Sequence, residues 1–241
     1  MSLIDYYTYF TPIDAPQARA RPVLGQVVWA PALHLVTHVD VLAAQRVSST
    51  SHGGATLKHE PHCDTHFGRR TRLDLPVLNL RLGETEELVT HKAKIRPGIV
   101  VADAADATSA QEKHPAHHTE RRVVVAPIYD VATEDDPKGF SQVMAARVRC
   151  LVYRQFFPSG AWEETRKAPR ACSLRAGIVR FDRLHFVTPA PPSLRLEPLR
   201  VCDEVMSLLH TALWVYLHGT PTAAFTSVRD MMLAELPPEA K

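Results

Sequence analysis

The chain has 241 residues, of which 45% are apolar and 22% charged, with a formal net charge of +2. That length holds one large or two small domains with room for a hydrophobic core, and the composition is that of ordinary soluble globular proteins. The near-neutral charge argues neither for nor against a nucleic-acid partner, although 13 histidines would make the chain far more basic toward their ordinary pKa of about 6.5.

Cys63, Cys150, Cys172 and Cys202 are widely spaced and form no CxxC pair. In a chain of this length they read as reduced thiols and not as a disulfide framework. The first residues show no basic stretch followed by an apolar core, as a secretory leader would, and no apolar run approaches the roughly 18 residues of a membrane span. The expectation is a cytoplasmic protein with no membrane partner.

Residues 1–22 are polar and aromatic, with Pro12, Pro16 and Pro22, and read as an extended arm that packs locally or crosses to a partner. Residues 23–31 (VLGQVVWAP) predict a first strand ended by Pro31. Residues 39–45 predict a short helix, followed by the Ser/Gly-rich SSTSHGG and the His-rich KHEPHCDTHFGRR. Residues 73–82 alternate as a hairpin strand does, and residues 94–102 form a strong strand candidate. Residues 103–119 are small, polar and proline-interrupted, which suits a surface loop containing disorder.

A third strand is predicted over 122–128, its β-branched Val123-Val124-Val125 run stopping at Pro127. Tyr129 and Asp130 follow as polar side chains at its end, before an acidic turn that leads to Phe140. Residues 142–156 read as β-rich toward their end, 157–170 as a loop, and 171–181 and 184–187 as late strands. Leu199, Cys202, Val205, Met206, Leu209, Leu213 and Leu217 recur at helical spacing, with Asp203 and Glu204 early and His218-Gly219 at the end. A weaker helix is predicted over 223–235. The outcome is a mainly β, α+β chain with a C-terminal amphipathic helix.

Two constellations carry chemistry. Arg180 and Asp182 flank Phe181, so on a strand both polar side chains leave one face. The guanidinium holds the carboxylate ionised and can stabilise a phosphate or an oxyanion. The same pattern also makes an ordinary surface salt bridge, the commoner case. Arg96, before Pro97, is either the solvated entry to its strand or a partner of Arg180. Separately, His59, His62, Cys63 and His66 lie within eight residues and are donors zinc would accept, but they lack the two separated ligand pairs of a usual zinc signature. Solvated loop histidines are the plainer reading; His114, His117 and His118 read the same way. Walker loops, GxGxxG, GxSxG and HExxH are absent, which removes the commonest nucleotide-binding and hydrolase motifs.

The order of segments resembles the MazF/PemK (Kid) family of toxin ribonucleases. GQVVWAP (25–31) is similar to that family's opening strand, Arg96-Pro97 with GIVV (98–101) to its R-P strand, and VVVAPI (123–128) to its central strand. GIVRFD (177–182) resembles the family's G-V-V-R-C-D stretch, and the helix after LRLEP occupies the place of its final helix. The resemblance implies an SH3-like β-barrel, which would span 23–219 here with an insertion at 32–93, and leaves 220–241 as a tail for which the sequence predicts helix. It also implies a homodimer that cuts single-stranded RNA to a 2′,3′-cyclic phosphate without a metal or other cofactor, under a cognate antitoxin or regulatory protein.

By that resemblance Asp182 takes the proton of the ribose 2′-hydroxyl. Arg180 protonates the leaving 5′-oxygen or stabilises phosphate charge, and Arg96 contacts the phosphate. Tyr129, Asp130 and Phe181 lie along the RNA path, where an exposed aromatic would stack on a base. The chain departs from the family in three places: Tyr129-Asp130 stand where the family has Thr-Ser, a long insertion follows the first strand, and the chain is about twice the family's usual length. These leave a second reading, a non-catalytic barrel that binds protein or nucleic acid, and a third, an insertion stabilised by zinc.

Overall fold

The computed structural model describes residues 8–14, 16, 21–34, 40–48, 50–63, 65–69, 82–83, 85–104, 122–163, 173–189 and 194–240. In chain order the strands begin with β1 (Phe10–Pro12), β2 (Gln26–Leu33), β3 (Asp40–Ser48), β4 (Ser51–Pro61) and β5 (Leu88–Thr90). The long strands β6 (Ala93–Ala104) and β7 (Arg122–Asp130) follow, then helix α1 (Gln142–Arg149). After it come β8 (Phe156–Ser159), β9 (Trp162–Glu163), β10 (Ser173–Leu174), β11 (Gly177–Arg180), β12 (His185–Val187) and β13 (Arg195–Val201). Helices α2 (Asp203–His218) and α3 (Ala223–Ala234) close the chain.

The chain divides into two compact units, Met1–Ala32 with Ile95–Lys241, and Leu33–Lys94. The insertion expected at 32–93 differs from the second unit by one residue at each end. In the second unit β3 pairs antiparallel with both β4 and β5. Helix was expected at 39–45, because Leu42, Ala43, Ala44 and Gln45 favour it. Pairing on both edges, with Val41 fully buried, overrides that local preference.

In the first unit the strands run in the order β1-β13-β2-β6-β7-β11-β8, with β12 also on β7. The pairings with a defined register are antiparallel. The architecture is therefore mainly antiparallel β with helices, an α+β fold. Among the described residues no ladder joins β1 to β8, so the strand path is open and not a closed barrel. A side chain spans that gap: the Tyr9 hydroxyl, buried, donates to the Pro158 carbonyl at 2.9 Å.

Both faces of this sheet are covered. On one, Val27, Ile99, Val101, Ala126, Ile128, Val179, Leu199 and Val201 meet Val205, Met206, Leu209, Ala212 and Val215 of α2. On the other, Val28, Ala30, Val100, Val123, Val125, Val187 and Leu194 form a second cluster. A third cluster joins Val148 of α1 to Phe156 and Ile178, with Phe140 and Tyr153 against it.

The N-terminal arm belongs to the fold: Phe10 pairs with Val201, and Tyr9 and Phe10 are buried in the core. Neither Pro31 nor Pro127 ends its strand. One edge of β7 pairs with β12 over Val123–Val125 and with β11 over Ile128–Asp130. Pro127 lies in the gap between those ladders, where on that edge no hydrogen bond is lost by its missing N–H. Over 142–149 the β-rich reading of 142–156 is corrected to helix α1, whose preceding Ser141 side chain accepts from the Met144 amide and whose Ala145 and Val148 face inward, while Phe156 at its end does open strand β8. The loop expected at 157–170 holds β8, each residue of it buried, and β9. Leu199 belongs to β13 and not to the helix, which starts at Asp203 and ends on Gly219 in the left-handed conformation. The hairpin strand expected at 73–82 falls almost wholly outside the described residues. So does the loop expected at 103–119, apart from Asp103 and Ala104, which continue β6. No described helix is long and apolar enough to cross a membrane.

Phe10→Ala should lower the urea-unfolding free energy by about 3–5 kcal/mol, the cost of emptying an aromatic core site. Ser141→Ala should cost about 1 kcal/mol, the ordinary value of a lost helix cap.

Candidate active site

The exposed end of β7 organises the site. Ile128 points into the core, while Tyr129 is half-buried and Asp130 exposed. β11 lies against this end with Ile178 opposite Tyr129 and Gly177 opposite Asp130. Gly177 has a steric reason: a Cβ there would stand 2.7 Å from both Ile128 Cγ2 and the Tyr129 carbonyl oxygen. On the other edge Gly98 pairs with Pro127, and Arg96, two residues before it on β6, reaches the Tyr129 ring. The chain then doubles back through Gly139, at φ +121°, so that the Phe140 amide donates to the Asp130 carbonyl at 3.0 Å.

These constraints collect the cations on one ring. The guanidinium carbon of Arg96 lies 4.1 Å from the Tyr129 ring centroid and that of Arg180 lies 5.0 Å from it. Arg180 also lies 5.8 Å from the Phe140 ring and 5.5 Å from the Phe156 ring. Cation–π attraction to three aromatic rings holds the charge where water is partly excluded. The Arg96 and Arg180 side chains are each only 16% exposed.

Two carboxylates accompany them. Arg180 grips Asp182 with two hydrogen bonds, Nε to Oδ1 at 3.0 Å and Nη2 to Oδ2. Arg183 Nε stands 3.9 Å from the same Oδ2. Asp130 Oδ2 stands 3.6 Å from Arg96 Nη1, with its side chain 56% exposed. The bidentate bond to Asp182 pushes the Arg180 pKa above the ordinary arginine value, with burial opposing it. Three guanidiniums against two carboxylates leave the site with an excess of positive charge. It is suited to an anion that is approached from the open side.

The strand expected to carry both Arg180 and Asp182 stops at Arg180, and Asp182 sits in the 3-10 turn Phe181–Arg183. The pair forms nonetheless, because the turn brings the carboxylate back onto the guanidinium. Phe181 needs correction. Expected on the RNA path, it is 2% exposed, its ring 6.3 Å from Phe157 and 6.1 Å from Tyr216 in the core. No base can reach it.

Phe140, Phe156 and Arg183 escaped the sequence reading. Phe156 was read only as the end of a β-rich segment, with nothing to place it beside Arg180. Arg183, three residues after Arg180, was visible only as another arginine. Next to it, His185 Nδ1 lies 3.2 Å from the Arg183 carbonyl, which assigns the proton to that nitrogen. Its Nε2 is buried with no hydrogen-bond partner among the described residues. Burial pushes the His185 pKa below its ordinary 6.5.

The histidine–cysteine cluster lies in the second unit. His59 Nε2 is 3.2 Å from Asp40, and the His62 ring packs at 5.6 Å on Phe67. Cys63 Sγ and His66 Nδ1 are 3.4 Å apart. Among the described residues no three His, Cys, Asp or Glu converge as a metal site. His114, His117, His118 and Cys172 lie outside the described residues.

Comparison of the chain with protein-family models, curated proteins and solved structures finds no match.

A histidine with a depressed folded pKa stays neutral in the fold but takes up a proton once unfolded. Its stabilising contribution is therefore complete above about pH 6.5 and shrinks as pH falls toward the folded value. The urea midpoint should drop on going from about pH 7.5 to about pH 5, and His185→Gln should flatten that dependence, as read from denaturation curves of both proteins.

Proposed function

We propose that this site cleaves single-stranded RNA by transfer of the phosphodiester to the adjacent 2′-hydroxyl, without a metal. The observation that carries the reading is the Arg180–Asp182 bidentate pair beside Arg96 on the Tyr129 ring. The resemblance to MazF/PemK in segment order supports it. That family's SH3-like barrel corresponds here to a path bridged by Tyr9 and Pro158 instead of by a ladder.

Each Asp182 oxygen keeps a lone pair outside its bond to Arg180, so the carboxylate still accepts the 2′-hydroxyl proton. Arg180, whose proton is held more tightly than usual, is a poor acid, so the 5′-oxygen that departs as its bond to phosphorus breaks takes its proton from water. The role of Arg180 is to neutralise charge that develops on the phosphoryl oxygens, and Arg96, against the same Tyr129 ring, binds the same phosphate. The nucleophile belongs to the RNA, so the protein's contribution is positioning and fixed charge. Asp130, the departure from the family's Thr-Ser, neutralises Arg96 until phosphate displaces it. A homodimer and a protein that occludes the site are the partners this reading calls for.

A second reading follows from the same ion pairs. With Asp182 engaged by Arg180 and Arg183 as an ion-pair partner, the base is tied up while the site keeps a net positive charge, as in a module that binds RNA without cutting it.

Purified protein incubated with a long single-stranded RNA in EDTA should give discrete fragments ending in cyclic phosphate. Asp182→Ala should lower the rate by about 100-fold or more, and Arg180→Ala and Arg96→Ala by about 10- to 1000-fold. Salt-dependent binding without cleavage by the folded wild type would establish the second reading instead.

A further inference from the structure

The exposed thiol of Cys63 lies in the second unit, outside the site above, and has chemistry of its own. β4 ends at Pro61, and a tight turn follows in which the His66 amide donates to the Cys63 carbonyl at 3.0 Å. That turn folds the His66 ring back over residue 63. The Cys63 backbone N–H donates to His66 Nδ1 at 3.0 Å, which makes Nδ1 the unprotonated nitrogen and leaves the ring proton on Nε2. Cys63 Sγ stands 3.4 Å from the same Nδ1 and 3.0 Å from the Thr65 hydroxyl. On the far side of the ring, Nε2 is 3.8 Å from Glu60 Oε2. Lys58, 2.9 Å from Glu60 Oε1, holds that carboxylate ionised.

The sulfur thus has a base beside it, the base has a carboxylate behind it, and a hydroxyl is placed to donate to a thiolate. That is the arrangement that activates a nucleophile. The His66 side chain is 10% exposed, so its ring is held in place, while Cys63 is open to solvent. A metal would need a third and fourth donor, and among the described residues no group of three His, Cys, Asp or Glu converges. A thiol, a base and a nearby carboxylate are enough for thiol chemistry. Cys150 and Cys202 make an internal contrast, since both are buried and burial pushes both thiols up.

We propose that Cys63 is an activated thiol that undergoes thiol–disulfide exchange with a low-molecular-weight disulfide, with His66 as its base and Glu60 as the nearby carboxylate whose charge favours the protonated ring. The Cys63 proton passes to His66 Nδ1, which releases the Cys63 backbone N–H as it takes the proton, and the imidazolium faces the Glu60 carboxylate. The thiolate attacks one sulfur of the disulfide, the S–S bond breaks, and the other half departs as a thiolate that takes up the proton. Cys63 ends as a mixed disulfide, and no further oxidant is needed.

The test is the pH dependence of iodoacetamide labelling of the full chain, with the modified cysteine identified by peptide mass, followed by reaction with oxidised glutathione. A midpoint matters more than a rate at one pH, because lowering a thiol's pKa also lowers its intrinsic nucleophilicity. Cys63 should label ahead of Cys150 and Cys202, with a midpoint about one unit or more below the 8.5 of an ordinary thiol. His66→Gln should return that midpoint to the ordinary value, and Glu60→Gln should move it part of the way. Oxidised glutathione should add a glutathionyl group to the peptide that holds Cys63, reversibly, and that peptide should stay unmodified in Cys63→Ser. An ordinary midpoint that His66→Gln leaves unmoved would overturn the proposal. So would labelling that begins only after a chelator is added, since the thiol would then be a metal ligand.

Discussion

The constraint on which the first unit rests is that β7 is paired along both edges while its end stays open to solvent. β6 holds one edge, and β12 and then β11 hold the other, so a single strand fixes the positions of Arg96 and Arg180 relative to Tyr129. Two guanidiniums do not gather spontaneously, because they repel. Here the backbone ladders place them, the aromatic faces attract them, and Asp130 and Asp182 offset their charge. The glycines at 98 and 177 matter for the same reason, since each lies where the neighbouring strand comes too close for a side chain.

The packing beneath explains why the polar groups stay at the rim. Ile128 and Val179 are held in the main core under α2, while Ile178, opposite Tyr129, belongs to the small cluster that anchors α1. Alternation along β7 and β11 therefore turns Tyr129 and Arg180 away from the main core. The same alternation puts Phe181 on the face of Val179, opposite Arg180, and the 3-10 turn that follows the strand keeps its ring inward against Phe157 and Tyr216. One residue in the turn separates a surface carboxylate from a core aromatic.

The second unit obeys the same logic on a smaller scale. A turn after β4 brings an imidazole onto a thiol, and backbone hydrogen bonding selects the tautomer. Neither site needs a large cavity. Each depends on local backbone geometry that presents a charged or nucleophilic group together with the partner that tunes it.

Much of this was legible in the chain itself. The β-branched runs at 99–101 and 123–125 form the strands their composition predicts, and the spacing of apolar residues after Asp203 makes a helix with its glycine stop. The residue types at 96, 129, 130, 180 and 182 already carried the site's chemistry. What the chain could not disclose was set by contacts between distant segments. Residues 40–48 became a strand because two partners pair with them, and Pro127 stayed inside its strand because the ladder changes partner there. Phe140, Phe156 and Arg183 entered the site because a left-handed glycine, a buried edge strand and a 3-10 turn brought them in. Local composition determines propensity and charge, whereas which groups meet is decided by tertiary pairing, whose energy outweighs any single residue's preference.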